Sequence, residues 1–303
     1  MVGSETVLPG SQDLRLAESL VRLMSLPRVG HGRAIKIAEA FGTWESLRSA
    51  SPDVLRRAAG IRIESVPDEP PPLPYGVRLL GWFDADYPRA LRSLSNPPAV
   101  LWVRGDLAPT RPRIAVVGTR KPTPWGTRVA TAVAQEAARR GISVVSGLAL
   151  GVDIAAHRAA VKSGGHTIAV LGGGVDSPTP RQHERDAEQL LSAGGALIAE
   201  VPPGLKPSAR TLVARNRLQA GLSRVTVMVQ CGLSSGTVHT ARFTTSQGKA
   251  LAVAQPPDAE VEAPENAGNV AMLSSQGTGE TPTATHTLTS LDDIVALLEL
   301  TLP

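Results

Sequence analysis

Apolar and polar residues alternate along this chain in three different rhythms, and each predicts a different kind of structure. Between residues 14 and 62 the period is helical: LRLAESLVRLMSL sets Leu16, Leu20, Leu23 and Met24 on one face. LPRVGHGRAIKIAEAFG follows, with Gly30 and Gly32 ending one helix and opening the next. A helix, a tight glycine turn and a second helix make a small all-helical, helix-hairpin-helix-like domain over residues 1–62. Such a unit either offers backbone N–H groups to nucleic-acid phosphates or serves as a packing module. Residues 63–76 are acidic and proline-rich, and proline's missing N–H marks them as a semi-rigid linker. RLLGWFDADYPRALRSLSNPPAVLWVRGDL then alternates short strands with turns, as a lead-in to the next domain.

From residue 111 the rhythm changes to short β-branched runs separated by helical stretches. IAVVG (114–118), SVVSG (143–147), TIAVLGG (167–173), ALIAE (196–200), VTVMVQ (225–230) and ALAVA (250–254) predict six buried strands. Helices are expected at 127–140 and 153–163, and the whole of 77–303 as an α/β, doubly wound, mostly parallel sheet. The third rhythm is no rhythm: residues 256–286 are polar and low in complexity, and predict a loop excursion. LTSLDDIVALLEL closes the chain as an amphipathic helix with Ser290 as N-cap.

Composition narrows the function. A chain of 303 residues, 42% hydrophobic and 19% charged, is that of a soluble globular protein. The formal charge is only +4, so affinity for a polyanion must come from clustered arginines. The N-terminus lacks a basic start and an apolar core, and no apolar run is long enough for a bilayer, so neither export nor a membrane is expected. One cysteine, Cys231, forms neither an internal disulfide nor a cysteine-rich zinc site, which points to the cytoplasm.

In an open parallel sheet, ligands bind beyond the carboxyl ends of the strands. Four strand ends here carry suitable residues: Gly118, Thr119, Arg120 and Lys121; Ser146 and Gly147; Gly173 and Gly174, with Arg181 and Arg185 shortly after; and Ser235, Gly236 and Thr237 ahead of a helix. Glycine admits close backbone approach, helix-start N–H groups attract anions, and arginine forks onto phosphate oxygens. Arg215 belongs to a further basic run, suited either to phosphate or to carboxylates that tie loops together. The nucleotide-hydrolase loop GxxxxGK[ST] is absent and the first turn, GTRKPTPWG, is not a dinucleotide fingerprint. Asp153 and His157 share a helix face, and capping with a structural hydrogen bond explains them better than acid–base catalysis. Neither a catalytic residue, a metal nor a cofactor is assigned.

DADYPRALRSLSNPPAVLWVRGDL, IAVVGTRKPTPWG, VVSGLALGVDIAAHRAAV, TIAVLGGGVDSPTPRQH, ARNRLQAGLS and SSGTVHTA, in this order, resemble the DNA-processing protein A family (DprA, also called Smf). The resemblance implies an extended Rossmann-like domain preceded by a SAM-like helical module at 14–62. It also implies a homodimer without catalytic activity, which binds single-stranded DNA, protects it during natural transformation and loads the RecA-type recombinase. Arg120 falls on the family's phosphate-binding arginine and Arg181 on its basic third-loop residue. Thr179, His183 and Gln230 depart from the family pattern, and the C-terminal winged helix of many members has no counterpart. Trp125, His183 and Phe243 are the rings available for stacking on bases. The alternative is a nucleotide-binding or nucleoside-monophosphate-processing enzyme of the same Rossmann superfamily.

Overall fold

The computed structural model describes residues 13–59, 72–274 and 281–302. The chain divides into two compact units, one of Met1–Pro72, Leu79–Tyr87 and Ser95–Leu101, the other of Leu73–Arg78, Pro88–Leu94 and Trp102–Pro303. Most of the expected proline-rich linker lies outside the described residues.

Four helices build the first unit: α1 (Ala17–Met24), α2 (His31–Phe41), α3 (Trp44–Ser49) and α4 (Pro52–Ala59). Leu20 and Leu23 of α1 are buried as the helical period requires, while Leu16 and Met24 are half-buried. The tight turn before α2 places its left-handed residue at Arg28 (φ 65°) rather than at a glycine; Gly30 is the N-cap of α2 in extended backbone. The buried indole of Trp44 donates to Ser19 Oγ (3.2 Å), and the Arg22 guanidinium lies 4.7 Å from its ring centre. Part of the expected lead-in belongs here. Ala99 and Val100 join the helical core, with Trp82 and Phe83 packed against it, because four short helices alone offer little apolar area.

The strands are β1 (Val77–Gly81), β2 (Val100–Gly105), β3 (Arg113–Val117), β4 (Ser143–Ser146), β5 (Thr167–Leu171), β6 (Ala196–Ala199), β7 (Val225–Met228), β8 (Ala250–Ala254) and β9 (His286–Leu288). The helices between and beyond them are α5 (Arg89–Arg92), α6 (Pro124–Arg139), α7 (Val152–Lys162), α8 (Glu184–Ser192), α9 (Ala209–Ala214), α10 (Asn216–Leu222), α11 (Thr237–Ser246), α12 (Ala267–Leu273) and α13 (Leu291–Glu299). The nine-stranded sheet has the order β1-β2-β6-β5-β4-β3-β7-β8-β9. It is parallel from β6 to β9, and β2 pairs antiparallel with β6. Alternate residues of β3 serve opposite faces. Ile114 and Val116 pack with α6, α7 and α13, whereas Ala115 and Val117 pack with α11 and α12. Both faces are therefore covered, which is why the strands read as unbroken apolar runs rather than alternating ones. The α/β, doubly wound reading of the sequence holds.

Three details differ from the sequence reading or sharpen it. Helix α6 begins before residue 127: Thr123 caps it, accepting from Gly126 N–H, and Pro124 takes the first turn, where its missing donor costs nothing. Ser290 caps α13 in a reciprocal box with Asp293, as expected. The polar stretch 256–286 is not a plain excursion. It carries one-turn 3-10 segments at Asp258–Glu260 and Pro264–Asn266, then α12 and the edge strand β9; residues 275–280 lie outside the described set. Two of its polar residues, Asn266 and Asn269, are buried and used. Asn269 accepts from Cys231 N–H (2.8 Å) and donates to Val229 O and Ala254 O, sewing the ends of β7 and β8 together. Gln230 donates to Asn266 Oδ1 (2.8 Å) while accepting from Thr123 N–H (2.9 Å).

Candidate nucleic-acid interface

The chain leaves β3 toward β4, β5 and β6 on one side, then crosses over so that β7 lies on the other side. Beyond the carboxyl ends of β3 and β7 the two following loops therefore diverge, and a crevice opens between them. A cavity of about 750 Å³ occupies this place. Its walls include Gly118, Thr119, Arg120 and Lys121 from the β3 loop, Ser234, Ser235, Gly236 and Thr237 from the β7 loop, and Arg215, Asn216 and Gln219 from α10 and its N-cap.

Hydrogen bonds fix the two loops to each other. Thr119 N–H donates to Gln230 O (2.7 Å), the Thr237 hydroxyl to Gly118 O (3.0 Å), and the Asn216 amide to Gly236 O (3.2 Å). Lys121 N–H turns back onto Thr119 Oγ1 (3.2 Å). This leaves the Arg120 and Lys121 side chains exposed at the mouth, with Ser234 and Gly236 exposed opposite them. Helix α11 starts at Thr237, so its positive end faces the same space. The rim also has an acid, the exposed Glu265.

A buried ion pair forms part of the cavity floor. Arg215 and Asp153 have side chains only 9% and 7% exposed, with Nη2 and Oδ2 3.8 Å apart. Arg215 Nη1 also donates to Val170 O (2.8 Å), and Asp153 accepts from the N–H groups of Gly147 (3.1 Å) and Ala149 (3.4 Å). Burial pushes the Asp153 carboxyl up, against the pull of Arg215 and these donors, and lowers Arg215, against the pull of Asp153. The charge of Arg120 acts on Arg215 from the cavity side.

His157 is equally buried. The Thr167 hydroxyl donates to Val144 O, so it accepts from Nδ1–H of His157 (2.7 Å), which leaves Nε2 to accept from Leu148 N–H (3.4 Å). Burial, with Arg215 and His183 adding to it, lowers its pKa to about 3. The ring is neutral, and it positions the β4 loop. His157 thus has the hydrogen-bonding role preferred on sequence grounds, whereas Asp153 does not cap α7: Gly151 is the N-cap, and the carboxylate holds the β4 loop through Gly147 and Ala149 N–H instead.

The predicted site residues divide into two groups. Gly118, Thr119, Arg120, Lys121, Ser235, Gly236 and Thr237 share the cavity, and Arg215 forms part of its floor. The others lie elsewhere. The Ser146 hydroxyl is buried and donates to Val116 O (2.7 Å). Gly147 is buried, and a Cβ there would overlap the Arg215 guanidinium. Gly173 and Gly174 are packing glycines, against Pro207 and against Asp176 and Pro203. Arg181 is exposed with Glu184 at 3.8 Å, and Arg185 lines a separate depression with Glu184, Glu188 and Asp176. Of the rings proposed for stacking, His183 is buried, its Nδ1 donating to Leu148 O, and Trp125 and Phe243 are half-buried. The pairing of Arg217 with Glu200 shows that the basic run after residue 206 also ties loops through carboxylates. Asn216 and Gln219 of the cavity wall stand in the segment ARNRLQAGLS that carries the resemblance but were not singled out as site residues, and Glu265 carried no signal in the sequence.

The family model for DNA recombination-mediator protein A matches residues 78–292. The chain belongs to the DNA-processing protein A family. A Mycobacterium tuberculosis relative, named as a DNA processing protein DprA, is 38% identical over 227 residues, covering 73% of this chain and 57% of its own length. DNA processing protein A from Helicobacter pylori, whose structure concerns its single-stranded DNA binding mode, superposes with a TM-score of 0.62 at 26% identity. That match covers 75% of this chain and 97% of the other. The Streptococcus pneumoniae protein shares the fold, with a TM-score of 0.72 at 24% identity over 93% of this chain and 97% of its own. The chain spans about half the length of the curated relatives it matches, for example 57% and 44%. Among the described residues no helix is long and apolar enough to cross a membrane.

Proposed function

We propose that this protein is a cytoplasmic, non-catalytic homodimer that binds single-stranded DNA without regard to sequence, protects it, and delivers the strand to a RecA-type recombinase. The observation that carries the binding step is the crevice at the β3–β7 switch point, where exposed Arg120 and Lys121 face hydroxyls and a helix start across one cavity. That combination suits a phosphodiester: two cations, neutral donors and no need of a base-specific contact. Membership of the family supports DNA as the ligand and recombination as the setting. Arg181, matched to the family's third-loop residue, and Arg185, which follows it, are assigned to a secondary stretch of the strand's path, since they stand outside the crevice.

Fluorescence anisotropy with an oligothymidylate at two salt concentrations tests this reading. Each phosphate contact contributes a slope of about 0.7 in log affinity against log salt for a single strand. Arg120→Ala with Lys121→Ala is expected to weaken binding at least tenfold at low salt and to flatten the slope by about 1.4. Wild-type affinity in the double variant would refute the assignment. The cavity volume, within the usual range for small-ligand sites, favours a second reading as a nucleoside-monophosphate site. Nucleotide turnover that oligonucleotides do not inhibit would establish that alternative.

A further inference from the structure

The crevice is bordered by two apolar side chains that the core does not use. Leu150, in the loop after β4, is 38% exposed and Leu233, in the loop after β7, is 58% exposed. Their neighbours line the cavity: Ala149 on one side, Gly232 and Ser234 on the other. The β4 loop is pressed against the loop that carries the cations, because a Cβ on Gly151 would overlap Thr119 O and come within 2.7 Å of Pro122 Cδ. In the sheet β3 lies between β4 and β7. Across the rim the order is therefore leucine, then the Arg120–Lys121 pair, then leucine. The strands that feed the two leucine loops are separated by two inter-strand spacings, roughly 10 Å.

An apolar residue left in water beside a phosphate-binding pair needs an explanation in terms of the same ligand. Duplex DNA offers only phosphates and groove edges to such a rim, since its base faces are stacked inside. A single strand offers both phosphates and free base faces. The chain has only 3% aromatic residues, and the rings nominated for stacking are not among the residues lining the cavity. We propose that Leu150 and Leu233 are the base platform of this protein: apolar pads on which bases of the bound strand lie while Arg120 and Lys121 hold the phosphates between them. This rests on the strand-binding reading above and adds the class of ligand surface it recognises. A leucine favours every base face alike, so the contact is compatible with sequence-independent binding.

The test compares two oligomers of equal length, an oligothymidylate and an abasic strand with the same sugar-phosphate backbone. The proteins are wild type, Leu150→Ser, Leu233→Ser, the double leucine variant, and Arg120→Ala. Both leucines are exposed, so unchanged urea midpoints are expected. At about 25 cal/mol per Å² of apolar area, covering roughly 55 Å² of exposed leucine surface in total corresponds to about a tenfold loss of oligothymidylate affinity in the double variant. Affinity for the abasic strand should change less than twofold and the salt dependence not at all, whereas Arg120→Ala should weaken both ligands. Equal weakening of both oligomers by the leucine variants would mean that the leucines only hold the loops, and would overturn the proposal. Unchanged oligothymidylate binding would overturn it too, and a loss of self-association in the same variants would reassign the leucines to a contact between copies. A wild-type protein that binds neither oligomer would overturn the strand-binding reading itself.

Discussion

Replacing Gly147 by alanine is a stringent test of how the floor of the crevice is built. Elsewhere in a loop this substitution is mild. Gly147 does not have a positive φ, so alanine fits the backbone there, and loss of unfolded-chain entropy would stabilise the protein by ~0.4–1 kcal/mol. The structure reverses the sign. The added methyl falls on the Arg215 guanidinium, which is held against Val170 O and against Asp153 3.8 Å away, with both side chains more than nine-tenths buried. The guanidinium must withdraw, and Asp153 is left as an uncompensated buried charge, which typically costs ~3–5 kcal/mol. Arg215→Ala alone should cost a similar amount. With Arg215 gone the methyl has room, so Gly147→Ala in that background should be neutral or slightly stabilising. Urea denaturation of the four proteins at pH 7 then gives a coupling energy of at least ~3 kcal/mol. Additive costs, or a Gly147→Ala variant within ~1 kcal/mol of wild type, would show that Gly147 is not the slot for Arg215.

Three further outcomes follow from the same geometry. His157 titrates in the fold at about 3 against 6.5 in an open chain, so its contribution to stability is complete above pH 6.5 and is lost as the pH falls toward 3. In urea titrations from pH 7 to 4, His157→Asn should start less stable than wild type but lose stability less steeply; parallel curves would exclude the buried neutral ring. Asn269→Ala strips partners from Cys231 N–H, Val229 O and Ala254 O, and should cost ~2–4 kcal/mol, with faster hydrogen exchange at the Cys231 amide. Thr123→Ala removes both the cap of α6 and the hydroxyl bond to Glu260 (2.9 Å), and a loss of ~1–2 kcal/mol in urea is expected.

The sheet was legible because its signal is local. Strands buried on both faces must be short apolar runs, and β3 to β8 fall within a residue or two of the runs seen in the sequence. The stretch 256–286 was misread for the complementary reason. Its polarity resembles that of an unfolded segment, yet Asn269 is polar because strand ends leave N–H and C=O groups that need partners, and Asn266 and Glu260 because the Gln230 amide and the Thr123 hydroxyl need theirs. Composition counts a polar residue as solvent-seeking, and only the fold reveals that the solvent of Asn269 is the backbone at the ends of β7 and β8. The edge strand β9, three residues long, has no pattern to read at all.

The glycines pose a subtler problem, because one physical property serves two ends. A missing Cβ lets a phosphate approach, and it equally lets a protein side chain approach. At Gly147, Gly173 and Gly174 the space is filled from within the chain by Arg215, Pro207, and Asp176 with Pro203. Apart from Asp176, which is two residues from Gly174, these partners lie about 30 to 70 residues away in sequence. At Gly236 nothing stands within 4 Å of the absent Cβ, and the residue is exposed on the cavity wall. A glycine-rich strand end is thus evidence for close approach, while the identity of what approaches is decided by topology. The crossover that sends β7 to the far side of β3 opens a crevice between the two following loops, into which Gly236 faces, whereas Gly118 is packed by Val152 and the β5 loop by the segment leading to α9. That single topological fact separates the two cation-bearing loops: Arg120 and Lys121 reach the crevice, while Arg181 and Arg185 remain on a surface shared with Glu184 and Glu188.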